Sequence, residues 1–214
     1  MAEIKRYVTP VFRLSFPSLF EASSYDGGEP KYGCSAIWTP GKFTEKDKAR
    51  WKEIMGALDA EAKARFKKAW KDLPSNIKRG VRDGAEKSLE GYGEGTRFAS
   101  LTTKMRPGVV DAERRTIAKD DKEREKLEAD DKPVADAVGS EAIYPGCYCR
   151  ATVTVYSYDN KGKGVALGLM NIQKVADGER LDSRTDASED FEDDIDEAWL
   201  DQDEGDAGGE DPFD

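Results

Sequence analysis

The sequence predicts a mainly β domain of five strands with inserted helices, followed by a disordered acidic tail. Three observations predict it. Five stretches read as strands, two of them with the strict apolar–polar alternation that gives a strand two unlike faces. Between the second and third strands, one long stretch instead repeats apolar residues every three or four positions, the period of a helix. From Asp186 to Asp214 there are fifteen Asp or Glu and no Lys or Arg. That segment buries too little apolar surface to offset its chain entropy.

The first strand spans Tyr7 to Phe16. Val8, Pro10, Phe12, Leu14 and Phe16 share one face; Pro10 predicts an edge or a bulge, and Pro17 ends the strand. After a Gly-rich loop, Lys31 to Thr39 is the second strand, closed by Pro40-Gly41. Thr44 is placed to cap a helix, with Glu45 and Asp47 in its first turn. Its stripe is Trp51, Met55, Leu58, Ala62, Phe66 and Trp70, a core-facing pattern. Toward Arg82 the other face turns basic. Lys63, Arg65, Lys67, Lys68, Lys71, Lys78, Arg79 and Arg82 stand against one acid, Asp72. Such a run is either a solvated face or a phosphate-contacting patch. Residues 44–90 thus form a helical insertion. Gly91 to Gly95 is glycine-rich but lacks the Lys-Ser/Thr ending of a phosphate loop. Arg97 to Lys104 is the third strand, and residues 112–138 are a charged, partly helical excursion. The fourth and fifth strands form a hairpin, Tyr156 to Val165, around a polar Gly-containing turn. The last strand ends at Val175, and the folded domain is expected to span residues 1–182, with the tail at 183–214.

The fourth strand is the most informative stretch. It follows the Pro145-Gly146 turn and places Cys147, Cys149, Ala151, Val153 and Val155 inward. Its other face carries Tyr148, Arg150, Thr152, Thr154, Tyr156 and Tyr158. Rings interleaved with a guanidinium along an open strand suit the stacking of unpaired bases. The plainer alternative is that the tyrosines pack beneath a second layer.

Composition narrows the chemistry. There is no histidine, so no Ser-His-Asp or Cys-His nucleophile, no His base and no His-ligated metal is available. Three cysteines fit reduced thiols better than a disulfide framework, and neither a metal site nor a cofactor is expected. No apolar run is long enough to span a bilayer and no signal segment is evident, so a cytoplasmic protein without membrane contact is expected. The net charge of −10 is segregated: residues 1–185 hold 34 basic against 29 acidic side chains. A basic body with an acidic tail points toward nucleic acid as partner.

Five strands with an inserted helix fit the five-stranded OB-fold barrel. At this point the chain resembles a known family. Arg13-Leu14-Ser15-Phe16-Pro17-Ser18-Leu19-Phe20-Glu21, Gly28-Glu29-Pro30-Lys31-Tyr32, Ile143-Tyr144-Pro145-Gly146-Cys147-Tyr148 and Gly164-Val165-Ala166-Leu167-Gly168-Leu169 carry the resemblance. Together with the acidic tail they make it similar to phage-encoded single-stranded-DNA-binding proteins, in layout the T7-type. The resemblance implies non-sequence-specific ssDNA binding in phage replication, recombination and repair, without catalysis. It also implies a tail that contacts replication and recombination proteins; a homodimer stays open.

The strand-face argument, not the resemblance, nominates the DNA-contacting residues. Bases would stack on Tyr148, Tyr156 and Tyr158, with Phe98 or Trp38 added if their strands face the same groove. Arg150, Arg97, Lys104 and Arg106 would meet phosphates. In the tail, Trp199, Asp211, Phe213 and Asp214 would meet a partner, the ring entering a pocket while acids meet its basic rim. Two rival readings remain at this point. One is a Mg²⁺-dependent nuclease using Asp111, Glu113 and Asp159. The other is an interaction protein or DNA mimic acting through the tail.

Overall fold

The architecture was described from a computed structural model, which describes residues 4–24, 27–159 and 162–182. The four tail nominees, Trp199, Asp211, Phe213 and Asp214, lie outside the described residues.

Five long strands pair in a closed ring. They are β2 (Phe12–Ser23), β3 (Lys31–Trp38), β6 (Arg97–Thr103), β9 (Lys163–Ala176) and β8 (Tyr148–Asp159). Going round, β2–β3, β3–β6, β9–β8 and β8–β2 are antiparallel, and β6–β9 is parallel. This matches the five-stranded barrel expected from the strand count and the inserted helix. Alternate residues fill it: Phe12, Leu14, Ala36, Leu101, Cys149, Val153 and Leu167 are all buried in one cluster. Short strands extend the ring. β1 (Tyr7–Val8) pairs with β8, β4 (Ile77–Arg79) and β7 (Gly108–Val110) pair with opposite ends of β9, and β5 (Arg82–Asp83) pairs with β6.

The helix α1 (Glu45–Phe66) starts where Thr44 accepts the Asp47 amide, an N-cap that satisfies a donor the helix leaves free. Ile54, Leu58 and Ala62 are its buried line, with Trp51, Met55 and Phe66 half-buried beside it. Its far end is tied to β8, where Ser157 donates to Glu61 at 2.6 Å and Arg65 pairs with Asp159 at 3.4 Å.

Several boundaries differ from the sequence reading. The first strand is two pieces, and β2 continues past Pro17 to Ser23. Phe16 and Pro17 fall in a register shift between Ser15 and Ser18, where no ladder amide is needed from proline. The same bulge breaks the alternation, so Phe16 leaves the inward face and stands 60% exposed. The helix stops at Phe66 because Lys67 turns into the left-handed region, at φ 58°. Trp70 therefore sits on a following turn, and the basic run from 67 to 82 is spread over turns and the short β4 and β5. The excursion 112–138 is helical only in α2 (Asp121–Ala129), and its Ile117, Ala118 and Ala135 are buried rather than exposed. A second short helix, α3 (Gly139–Ala142), leads back to the Pro145-Gly146 turn.

Candidate nucleic-acid interface

The outward face of β8 ends at Tyr156 and Tyr158, which meet β9 across the hairpin. Their cross-strand partners are Ala166 and Gly164. A Cβ on Gly164 would lie 2.5 Å from the Tyr158 hydroxyl, and one on Gly168 would lie 3.4 Å from the Tyr156 ring. The Tyr158 phenol therefore lies in a recess that only glycine leaves open, while Tyr156 lies at van der Waals distance over Gly168. The two rings sit 6.3 Å apart at 45°. Tyr156 stays 40% exposed and Tyr158 is half-buried. Burial, and then the neighbouring Tyr156, pushes the Tyr158 phenol above its ordinary pKa, so it stays protonated at neutral pH.

These rings form one wall of a hollow of about 1060 Å³. Ser100 and Thr102 of β6 give it a small polar floor, and Trp51 and Met55 of α1 with Trp70 close another side. The helical insertion supplies the cationic rim: Lys78, Arg79 and Arg82 line the hollow together with Lys31 and Arg97. Arg79 is fixed by its own backbone surroundings, donating to the carbonyls of Trp70, Lys71 and Leu73. Arg97 is held by Asp83 at 2.8 Å, and Arg82 lies 3.7 Å from Glu86. Among the described residues, Lys31 and Lys78 have no carboxylate within ion-pair distance. Rings with an open face beside ammonium groups that hold no close ion pair can stack bases and neutralise phosphates without reading sequence.

The structure separates the sequence nominees. It brings Tyr156, Tyr158 and Arg97 into one hollow with Lys78, Arg79 and Arg82 from the basic run. Tyr148 is exposed, but it lies at the opposite end of β8, paired with Ala176 and close to Gly178. Arg150 donates from its Nε to Gln173 at 2.7 Å and does not line the hollow. Lys104 pairs with Glu29 at 2.7 Å, which lowers the Glu29 pKa. Arg106 makes a two-pronged pair with Glu123 at 2.7 and 2.8 Å. That pair, despite partial burial, holds the Glu123 carboxyl down at about 2. Trp38 must be withdrawn as a stacking ring. It is 1% exposed, donates to the Pro10 carbonyl, and packs edge-on to Phe12 and Trp51. Phe98 is corrected as well. It points outward from β6 but is fully covered, with Arg82 4.5 Å, Lys87 4.8 Å and Tyr92 5.3 Å from its ring. The cover is the strand-and-turn segment after β4, whose two- and three-residue pieces leave no periodic signature.

Sequence reasoning also missed Lys31, Trp51, Trp70, Ser100 and Thr102 as groove residues. The small polar alternation Ser100, Thr102 along the third strand was the available signal. Of the acids considered for metal chemistry, Asp111 and Glu113 share the Arg115 guanidinium at 2.7 and 3.9 Å, while Asp159 lies apart and pairs with Arg65 and Lys163. Among the described residues no group of three or more His, Cys, Asp or Glu could hold a metal ion, and no helix is long and apolar enough to cross a membrane.

The closed ring of five strands defines the chain as a mainly β protein of OB-fold type. The family model described as Enterobacter phage Enc34, ssDNA-binding protein, matches residues 5–203, and the chain belongs to that family. Putative protein p50 of Acyrthosiphon pisum secondary endosymbiont phage 1 is 31% identical over 186 residues, covering 85% of this chain and 89% of p50. The fold is similar to the single-stranded DNA-binding protein of bacteriophage Enc34 in complex with ssDNA. There the TM-score is 0.61 at 24% identity, over 82% of this chain and 88% of that one. It is also similar to gp2.5, a single-stranded DNA binding protein encoded by bacteriophage T7, with a TM-score of 0.52 at 14% identity over 91% and 97% of the two chains.

Proposed function

We propose that this chain binds single-stranded DNA without sequence preference and without catalysing a reaction on it. The observation that carries the reading is the Tyr156–Tyr158 pair, seated against glycines on the wall of a hollow rimmed by Lys31, Lys78, Arg79, Arg82 and Arg97. The rings supply stacking surfaces that accept any base, and the cations follow the phosphate backbone. Family membership supports the same reading. In this account the protein protects and organises ssDNA during phage replication, recombination and repair in the cytoplasm of the host. Its acidic tail recruits replication proteins through Trp199, Phe213 and the adjoining Asp211 and Asp214. The tail, a polyanion like DNA, also competes for the basic groove.

Fluorescence-anisotropy titration of labelled oligo-dT tests this, comparing the full chain with a 1–185 truncation at two salt concentrations. Tight, salt-sensitive binding that strengthens on truncation is expected. No binding by either protein at low salt would overturn the proposal.

A further inference from the structure

The bulge in β2 places a phenylalanine where neither backbone nor burial favours it. Phe16 has φ 46°, in the left-handed region that suits glycine, while its ring is 60% exposed. Its neighbours in the strand are ordinary core: Leu14 is fully buried and Leu19 is 2% exposed. A residue held against backbone preference and presenting an uncovered ring to solvent is a place to look for a ligand.

Phe16 borders a second hollow of about 1360 Å³ on the outer face of β3 and β6. Lys31, Ser100 and Thr102 line this hollow and the first one alike, so the two are continuous. Gly33 of β3 lines this hollow, and a Cβ there would run into the Leu101 carbonyl of β6. Above the floor sits Lys87, its ammonium 5.5 Å from the Phe16 ring and 4.8 Å from both Tyr92 and Phe98. Among the described residues it has no carboxylate within ion-pair distance. The acid on this hollow's rim, Glu29, is already paired with Lys104.

We propose that Phe16 is a second base-stacking platform, and that the bound single strand runs from the Tyr156–Tyr158 hollow across Ser100 and Thr102 to end on the Phe16 ring with Lys87 at its phosphate. This rests on the ssDNA reading and extends it from one hollow to a track of defined length. The continuity of the two hollows, the Lys31 and Lys87 ammonium groups with no carboxylate within ion-pair distance among the described residues, and an aromatic ring at each end single out a polyanion with stackable rings as occupant.

The test is a length series of oligo-dT, from about 4 to about 16 nucleotides, the range occupied by single barrels of this type. The wild-type full chain is compared with the Phe16→Gly, Phe16→Trp and Tyr156→Ala/Tyr158→Ala variants. Phe16→Gly removes the ring yet suits the backbone, so it folds. It is expected to bind the shortest oligomers like wild type and the longest about 5- to 100-fold more weakly. Phe16→Trp is expected to keep the wild-type length dependence. Equal binding of every length by wild type and Phe16→Gly, with the tyrosine variant weakened, would overturn the second platform and leave the first hollow standing. Loss of affinity in Phe16→Trp as large as in Phe16→Gly would also overturn it, since a stacking surface accepts any aromatic ring. Absence of binding by wild type at all lengths would instead overturn the ssDNA reading beneath it.

Discussion

The phenol of Tyr158 rests on Gly164, its cross-strand partner, so closely that a single methyl group at residue 164 would meet the hydroxyl at 2.5 Å and the Lys78 carbonyl at 2.8 Å. Ring and glycine form one unit. Gly164→Ala is expected to destabilise the fold by about 1–3 kcal/mol, the usual range for overpacking, and to weaken ssDNA binding by tilting the ring. Thermal melting and anisotropy on the same preparation check it. In the Tyr158→Ala background part of the stability cost should disappear, because one of the two clashing groups is gone.

The Tyr156→Ala/Tyr158→Ala variant should retain its fold and lose about 1–3 kcal/mol of binding free energy for each base that stacks on a lost ring. Tyr148→Ala should leave the affinity for short oligomers unchanged, because Tyr148 stands at the other end of β8. Anisotropy titration compares the two. Unchanged affinity in the double variant would show that no base stacks on this wall of the hollow.

Salt dependence reports the cations separately from the rings. Each phosphate neutralised contributes about −0.7 to the slope of log K against log salt for a single strand. Lys31→Gln and Lys78→Gln should each make the slope shallower by roughly that amount. Lys104→Gln should change it little, since Lys104 already faces Glu29.

Trp38→Ala should cost about 3–5 kcal/mol of stability, as truncation of a buried large aromatic does. Denaturant unfolding measures it. A loss of DNA binding in that variant would follow from unfolding rather than from a missing contact.

Acid stability should carry the signature of Glu123. Its carboxyl is depressed to about 2, first by the Arg106 hydrogen bonds, with the Lys119 amide adding to them. A depressed carboxylate binds fewer protons in the folded than in the unfolded chain. Its contribution is therefore full above the unfolded value near 4.5 and is lost as pH falls toward 2. Glu123→Gln should flatten the fall in melting temperature across that window. At neutral pH it should cost on the order of 1 kcal/mol, a modest figure because the pair is partly solvated.

Much of this was legible in the residues. Alternation and turn signals located the five ring strands, and alternation along the fourth put Cys149, Ala151 and Val153 inward and Tyr156 and Tyr158 outward. What alternation cannot carry is a break in its own period. The bulge at Phe16-Pro17 turned a residue from the inner face to the outer, with no trace beyond the proline. Nor does a residue's type reveal its partner. Arg106 and Arg97 look alike in sequence, yet only Arg97 borders the groove, while Arg106 is bound to a glutamate from the excursion. Phe98 and Trp38 are on the expected strand. Their burial depends on the segment after β4 and on α1, which fold over them through contacts distant in sequence.

The ring of strands closes between β6 and β9 through a single registered pair, Thr102 with Gly168, while β4 and β7 occupy the rest of that edge of β9. Thr102 also lies beneath both hollows. The barrel's narrowest seam and the proposed ligand track thus coincide. A strand laid across the track acts as a clasp over that seam. By mass action, whatever binds the closed ring and not the open one raises the free energy of opening it. Backbone amides of β6 and β9 near Thr102 and Gly168 should accordingly be where hydrogen exchange slows most when the track is filled, which makes the seam a gauge of occupancy.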